Sequence, residues 1–376
     1  MRPSAKGWCP GAYTPMTSGD GLIIRLRPRL SRLSLHQALD ICDLAERHGT
    51  GVIEVTSKSN LQLRGIKRDQ YKDILDSLLA LGLLDETAEI ESRRNIIIAP
   101  DWEQGCLSQA IAKEFYERLP ELPELPAKFS FALDVGKTRR LAAISSDIRI
   151  EQSENGAVLV CADSAEKGLT VAPSNAITAA IKLAHWFANT GGNDRKRMQA
   201  HLQTQILPDE WQTQARTSHD APIAPGRSDI GFVLGVPLGQ TDSKHLRQLL
   251  LSHTPNGIRL TPWRGLIFEG IDNITTPHFI INHTDTLLTV QACPGAPSCK
   301  SATVETRNLA RALAGQTNGV LHVSGCSKGC AHPKAADITL VGENGQFSLI
   351  KKGCSWDNPS RRGLSAEEIL NSTDVL

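Results

Sequence analysis

Two stretches of the chain align without a gap, "IEVTSKSNLQLRGI" at 53–66 and "IRLTPWRGLIFEGI" at 258–271. Ile53 matches Ile258, Val55 matches Leu260, Thr56 matches Thr261 and Leu61 matches Leu266. Leu63 matches Phe268, Gly65 matches Gly270 and Ile66 matches Ile271. In both, apolar residues alternate on either side of a short turn, the pattern of two adjacent strands with one buried face each. The preceding residues correspond as well. "GLIIRLRP" and "DIGFVLGVPLG" read as strands, and "LSLHQALDICDLAERHG" and "DSKHLRQLLLSHTPNG" read as amphipathic helices that stop at a glycine. A strand–helix–strand–strand unit used twice commits much of the chain to an α+β architecture.

In the first copy a further helix follows, "DQYKDILDSLLALGL". That order is the one expected of a ferredoxin-like α+β unit. Between the copies lie a proline-rich connection, "LPELPELPAKF", and a polar stretch, "DEWQTQARTSHDAPIAPGRSD", which reads as a linker. The repeat is thus expected as half-domains at 8–85 and 226–284, with a linker at 191–225.

The chain's totals narrow the function classes. Lys and Arg number 41 against 40 Asp and Glu, so net charge gives no reason to expect nucleic acid. No run of about 18 apolar residues occurs, and the N-terminal residues lack a signal-peptide pattern, so a cytoplasmic protein without a membrane span is expected. Nine cysteines, an odd count, are too sparse for a disulfide scaffold in a chain of 376 residues. Cys9, Cys42, Cys106, Cys161 and Cys354 share no spacing, and Cys42 falls inside an apolar helical pattern, as a buried thiol would.

The other four cysteines form two pairs. "QACPGAPSCKSA" places Cys293 and Cys299 with five residues between them, and "VSGCSKGCAHP" places Cys326 and Cys330 with three between them. A helical pattern and a strand pattern separate the pairs, a unit able to fold back and bring both loops to one site. Structural zinc draws its cysteines from tighter pairs, whereas an iron–sulfur cube tolerates the wider spacing and wants backbone close to its sulfides. Gly295, Gly325 and Gly329 allow that approach, while Pro294 and Pro297 keep the first loop non-helical. Unrelated core thiols and a zinc knuckle are the competing readings.

With its "GCxxGC" element, this cysteine pattern resembles the nitrite/sulfite reductase superfamily. The resemblance implies two ferredoxin-like half-domains, with a [4Fe–4S] cluster beside a tetrapyrrole. On it, 86–190 is expected as the first half of a tetrapyrrole and cluster domain, and 285–352 as the cluster-binding half. "WCPGAYTPMTSGDGLIIRLR", "LTPWRGLI", "ACPGAPSCKSA" and "GCSKGCAHPKAADITLVG" look like the precorrin-3B synthase branch. That branch implies an oxidoreductase of aerobic cobalamin biosynthesis. It oxidises precorrin-3A with O2 by C-20 hydroxylation and γ-lactone formation from the ring A acetate. The resemblance also implies an external electron donor or NAD(P)H-linked reductase, and associates a mononuclear non-haem iron with the family. The alternative is a nitrite or sulfite reductase, dependent on sirohaem and [4Fe–4S].

A macrocycle bearing many acetates and propionates needs several cations, arginine being suited by its paired donors. By resemblance to tetrapyrrole-contacting elements, Lys58, Asn60 and Gln62 come from "TSKSNLQ", Arg94 and Asn95 from "SRRNI", and Lys128 from "PAKFSFALD". Ser130 stands where the reductases carry a second lysine, which suits a small anion poorly. Arg64 shares a strand face with Gln62, opposite Leu61 and Leu63, and is expected to face a ligand. Arg25 and Arg27 are candidates for the same role or for a solvated strand edge. Arg264 falls in the second copy's turn, at the position equivalent to Ser59. Lys128 and His332 are the candidate catalytic residues, with loop stabilisation the plainer role for His332. Trp8 and Trp263 fit either a stacking or a core role. No G-x-G-x-x-G follows a strand, so a nicotinamide site within the chain is not expected.

Overall fold

The computed structural model describes residues 10–217 and 221–371; Trp8 and Cys9 lie outside them. The two repeats form two five-stranded antiparallel sheets. The first runs in the order Met16–Thr17, Leu22–Leu26, Leu61–Ile66, Val52–Val55 and Gln240–Asp242. The second runs Gly226–Ser228, Gly231–Gly235, Gly265–Glu269, Ile258–Thr261 and Arg32–Leu33. The last strand of each sheet comes from the other repeat. Thr241 pairs with Ile53, and Leu33 pairs with Ile258. The half-domains expected at 8–85 and 226–284 are therefore interleaved.

Alternation explains the packing. Ile24, Leu26, Ile53, Leu61 and Leu63 from the first sheet share one core with Leu234, Leu260, Leu266 and Phe268 from the second. Each such side chain contributes about 1.5–3 kcal/mol when fully buried. Helix Leu35–His48 is opened by a capping box in which Ser34 and Gln37 satisfy each other's backbone N–H groups, and it packs against helix Ser243–His253. The repeat reaches the backbone dihedrals: Ser59 and Arg264, in equivalent turns, have φ of +52° and +56°.

The middle domain is a six-stranded sheet ordered Gln214–Ala215, Lys167–Val171, Val158–Ala162, Ile148–Gln152, Phe131–Asp134 and Ile96–Ile98. Phe115, Phe129, Phe131 and Phe187 pack beside it. The stretch 191–225, expected as a linker, adds Met198, Leu207 and Trp211 to this core, and Gln214–Ala215 extends the sheet.

The C-terminal domain orders its strands as Val290–Ala292, Leu321–Ser324, Ala336–Glu343, Gln346–Gly353 and Arg361–Leu364. The first three are parallel, and Leu321, Val323, Leu340 and Leu349 form their core. Its short helix Arg307–Ala312 is the ordered part of the pattern that follows the first cysteine loop. Among the described residues no helix is long and apolar enough to cross a membrane.

Candidate active site

The cysteine pairs owe their meeting to parallel strand pairing. Val290–Ala292 and Leu321–Ser324 run side by side in the same direction, so the loops that leave them start at the same sheet edge. Cys293 continues the ladder by donating its N–H to the Val323 carbonyl at 3.0 Å. Its Sγ lies 3.4 Å from Ser324 Oγ and accepts the Ala331 N–H at 3.4 Å. His322 Nε2 is 3.8 Å away. Gly295, at φ +72°, crosses so close to Thr306 that a Cβ would sit 2.6 Å from its hydroxyl; that hydroxyl donates to the Cys293 carbonyl. Lys328 Nζ bridges the loops by donating to Ser301 Oγ at 2.8 Å.

The four thiols share one electrostatic neighbourhood. Burial first, then the charges of Cys293, Cys326 and Cys299, pushes the Cys330 thiol up to about 11. Among the described residues no three Cys, His, Asp or Glu side chains converge as the ligands of one ion do. Four cysteines on two loops, with the Ala331 N–H donated to the Cys293 sulfur, fit the donor set of an iron–sulfur cluster.

Each repeat clamps one cysteine loop. From the first, Arg64 donates to the Ser298 carbonyl at 3.2 Å, where the Gly19 N–H and Ser18 hydroxyl also donate. Arg64 is itself buried against Asp20 at 2.9 Å and Glu54 at 3.4 Å. From the second, Arg264 donates to the Ala331 carbonyl at 3.0 Å.

The outward face of the first sheet carries further charged and polar groups beside Arg64. Arg25 donates to Gln62 Oε1 at 2.7 Å, and Gln62 donates to Glu54 Oε2 at 2.8 Å. Arg307, from the short helix of the C-terminal domain, reaches Glu54 Oε1 at 2.8 Å, and Arg311 lies beside it. Burial pushes the Glu54 carboxyl up, but Arg64 and Arg307 together hold it below the usual carboxylate range.

The remaining expected site residues fall elsewhere. Lys58 reaches over to the middle domain, where its amine donates to the Ser145 carbonyl beside Arg197 and Asp147. Burial, then the Arg197 charge, lowers its pKa to about 8. The Asn60 backbone closes its turn by donating to Thr56 Oγ1 at 3.2 Å. Arg94 is buried between Asp85 at 2.6 Å and Glu91 at 2.7 Å, and donates also to the Arg27 carbonyl. Arg27 pairs with Glu91 at 3.1 Å. Asn95 donates to the Phe129 carbonyl at 2.6 Å. Arg94, Arg27 and Asn95 thus hold protein groups together away from the cysteine loops. Lys128 is exposed, and Ser130 is fully buried with its N–H on Asp147. His332 Nε2 lies 3.3 Å from the Ala335 carbonyl, and Trp263 is half-buried.

Arg197, Arg307, Arg311 and Glu54 are the residues that motif reading passes over. For Glu54 a signal exists: strand alternation puts it on the Gln62 and Arg64 face. For the arginines of the short helix, the sequence shows only a solvated helical pattern.

Residues 14–81 match the family described as the nitrite/sulfite reductase ferredoxin-like half domain. The fold resembles a solved structure, the NirA protein of Mycobacterium tuberculosis, with a TM-score of 0.62 at 16% identity, covering 93% of this chain and 79% of that one. The fold is therefore nitrite/sulfite reductase-like, and nitrite/sulfite reductase-like proteins generally bind an iron–sulfur cluster. It is similar to the precorrin-3B synthase of Sinorhizobium sp, at 29% identity over 94% of this chain and 84% of the relative. The ferredoxin–nitrite reductase of Synechococcus elongatus is 23% identical over 89% of this chain and 78% of its own length.

Proposed function

We propose that this chain is a precorrin-3B synthase, an oxidoreductase that converts precorrin-3A to precorrin-3B. In the overall balance one oxygen atom of O2 enters the macrocycle as the C-20 hydroxyl, and the ring A acetate closes the γ-lactone. The other oxygen leaves as water, taking two electrons and two protons from an external donor. Similarity to precorrin-3B synthase along nearly the whole chain supports the reading. The observation that carries it is a group of arginines at the two cysteine loops: Arg64 and Arg264 donate to the loops, Arg25 and Arg307 join Arg64 through Gln62 and Glu54, and Arg311 neighbours Arg307.

Cys293, Cys299, Cys326 and Cys330 would hold a [4Fe–4S] cluster. When bound, such a cluster supplies single electrons, which O2 chemistry on a closed-shell substrate requires. Arg25, Arg307 and Arg311, with Gln62 as a neutral donor, would hold the substrate's carboxylates on the first-sheet face. Lys58 and Arg197, where the first repeat meets the middle domain, would take those on the other side. Arg64 would keep the first cysteine loop seated. Lys128 stays available to solvent-side carboxylates. No side chains are assigned to a mononuclear iron. A cytoplasmic location suits reduced thiols of this kind.

Ser130 weighs against reduction of a small anion. It lies inside the middle domain, where the reductases carry their second lysine, so Lys128 lacks its cationic neighbour. Anaerobic purification followed by absorption, iron, sulfide and haem assays tests the reading. About four irons with matching sulfide and a broad visible shoulder are expected. Haem bands would shift the assignment to a sirohaem reductase, and zinc as the only metal would end it. Turnover of precorrin-3A should give a product heavier by one oxygen atom.

A further inference from the structure

The two loop-clamping arginines differ in their counter-charges. Arg64 carries Asp20 and Glu54 as partners. Arg264 has no carboxylate within ion-pair distance among the described residues, because the nearby Glu54 is taken by Arg64 and Arg307. Its side chain is nevertheless placed with care. The residue holds a left-handed turn conformation at φ +56°, and its stem crosses Gly239, where a Cβ would lie 2.8 Å from Arg264 Cδ. The guanidinium ends on the Ala331 carbonyl, one residue beyond Cys330, and the Ala331 N–H points at Cys293 Sγ.

A half-buried guanidinium without a carboxylate is costly unless an anion arrives. A cluster bound by four thiolates is such an anion. We propose that Arg264 is the counter-cation of the cluster and sets its reduction potential. This rests on the reading that the four cysteines hold an iron–sulfur cluster. A fixed positive charge beside the cysteine loop stabilises the reduced, more negative cluster over the oxidised one, so it raises the midpoint potential. Arg64 contributes little to the same field, since two carboxylates offset it. Arg264 acts through the cluster and its loop, as a positioning residue.

The test is a potentiometric titration of the anaerobically purified holoprotein, followed by absorption and electron paramagnetic resonance, with iron and sulfide measured on each sample. Arg264→Gln is expected to keep its iron and shift the midpoint to a more negative potential, whereas Arg264→Lys shifts it less. If the glutamine variant fails to load, Gly239→Ala is read in its place; it crowds the stem of Arg264 and should shift the midpoint in the same direction. Equal midpoints in cluster-loaded variant and unaltered protein would overturn the role of Arg264 and leave the cluster reading intact. An unaltered protein that binds no iron and sulfide would overturn the cluster reading, and the inference with it.

Discussion

Glu54 and Arg259 occupy the same position in the two repeats and carry opposite charges. Their cross-strand partners are inverted too: Glu54 pairs with Arg64 at 3.4 Å, and Arg259 with Glu269 at 2.5 Å. Each pair lies on the face of its sheet turned away from the shared core, and each ties in a different domain. Glu54 accepts from Arg307 of the C-terminal domain. Arg259 donates to the Pro100 and Trp102 carbonyls of the middle domain and stands 4.1 Å over the Trp102 ring. One duplicated surface has thus been turned into two sockets of opposite sign.

Two substitutions separate the sockets. Glu54→Gln leaves Arg64 and Arg307 short of a shared carboxylate and should cost about 3 kcal/mol at neutral pH, as breaking a buried pair does. The Glu54 carboxyl is held below its usual range, so its contribution is present above the unfolded value and lost as pH falls through the folded one. The difference between variant and unaltered protein should therefore shrink in acid. Hydrogen exchange should quicken around 307–312 in this variant and around 100–102 in Arg259→Met. Loosening of the same segment by both would contradict separate sockets.

Asp134 predicts the opposite pH slope. Burial raises its pKa to about 6, although the N–H groups of Arg140 and Leu141 pull it down; Glu151 and Asp101 add to the rise. Its Oδ2 accepts both N–H groups at 2.8 and 2.7 Å, while Oδ1 is buried without a partner. The folded state holds the proton more tightly than the unfolded one, so this group lowers stability as pH rises from about 4 to about 6. Asp134→Asn keeps an acceptor and removes the charge. Denaturant unfolding should show the variant gaining on the unaltered protein by about 2 kcal/mol between pH 4 and pH 7. A constant difference across that range would count against a buried, strained carboxyl.

The alternation around Leu61, Leu63, Leu266 and Phe268 was legible because a sheet with one buried face repeats every two residues. The cysteine pairs were legible because a shared ligand site forces local spacing. Arg32–Leu33 and Gln240–Asp242 were not, since strands of two and three residues are too short to carry a period. Their exchange turns two expected half-domains into one interleaved unit. Trp211 hid in a polar stretch with no apolar period, yet its side chain is almost fully buried. For Arg64 the sequence showed the face but not what covers it, because the Ser298 carbonyl is 234 residues away. Arg94 shows the converse: a motif match places it, yet Asp85 and Glu91 already satisfy its guanidinium.

On the proposed reading, Lys58 should make binding of a polycarboxylate macrocycle depend on pH. Its amine, lowered to about 8 by burial and then by Arg197, loses its charge as pH rises through that value. If it holds a carboxylate beside Arg197, affinity for a polycarboxylate macrocycle should fall between pH 7 and pH 9. Uroporphyrin III is a practical probe, with binding followed by its fluorescence. The decline should reach about tenfold, the loss of one modest charge-assisted contact. In Lys58→Arg the guanidinium stays charged, and the pH dependence should flatten. The same decline in the arginine variant would remove Lys58 from the carboxylate set.

Gly295 leaves no room for a side chain in the first cysteine loop. At φ +72° any other residue is strained, and a Cβ would sit 2.6 Å from Thr306 Oγ1 and 2.9 Å from the Thr306 N. Thr306 cannot yield freely, because its hydroxyl donates to the Cys293 carbonyl and its carbonyl accepts the Ala310 N–H of the short helix. Gly295→Ala should therefore displace the first cysteine loop, at a cost of about 2 kcal/mol from backbone strain and overpacking. The two repeats and the middle domain lie outside that contact and should keep their folding. The variant should show near-native far-ultraviolet circular dichroism with less than half the iron of the unaltered protein. Gly345→Ala, at φ +81° in an exposed turn with nothing within 4 Å of the new Cβ, is the control. It carries the backbone strain without the clash and should retain its iron. Equal iron loss in both variants would mean that strain, and not the contact with Thr306, governs the site.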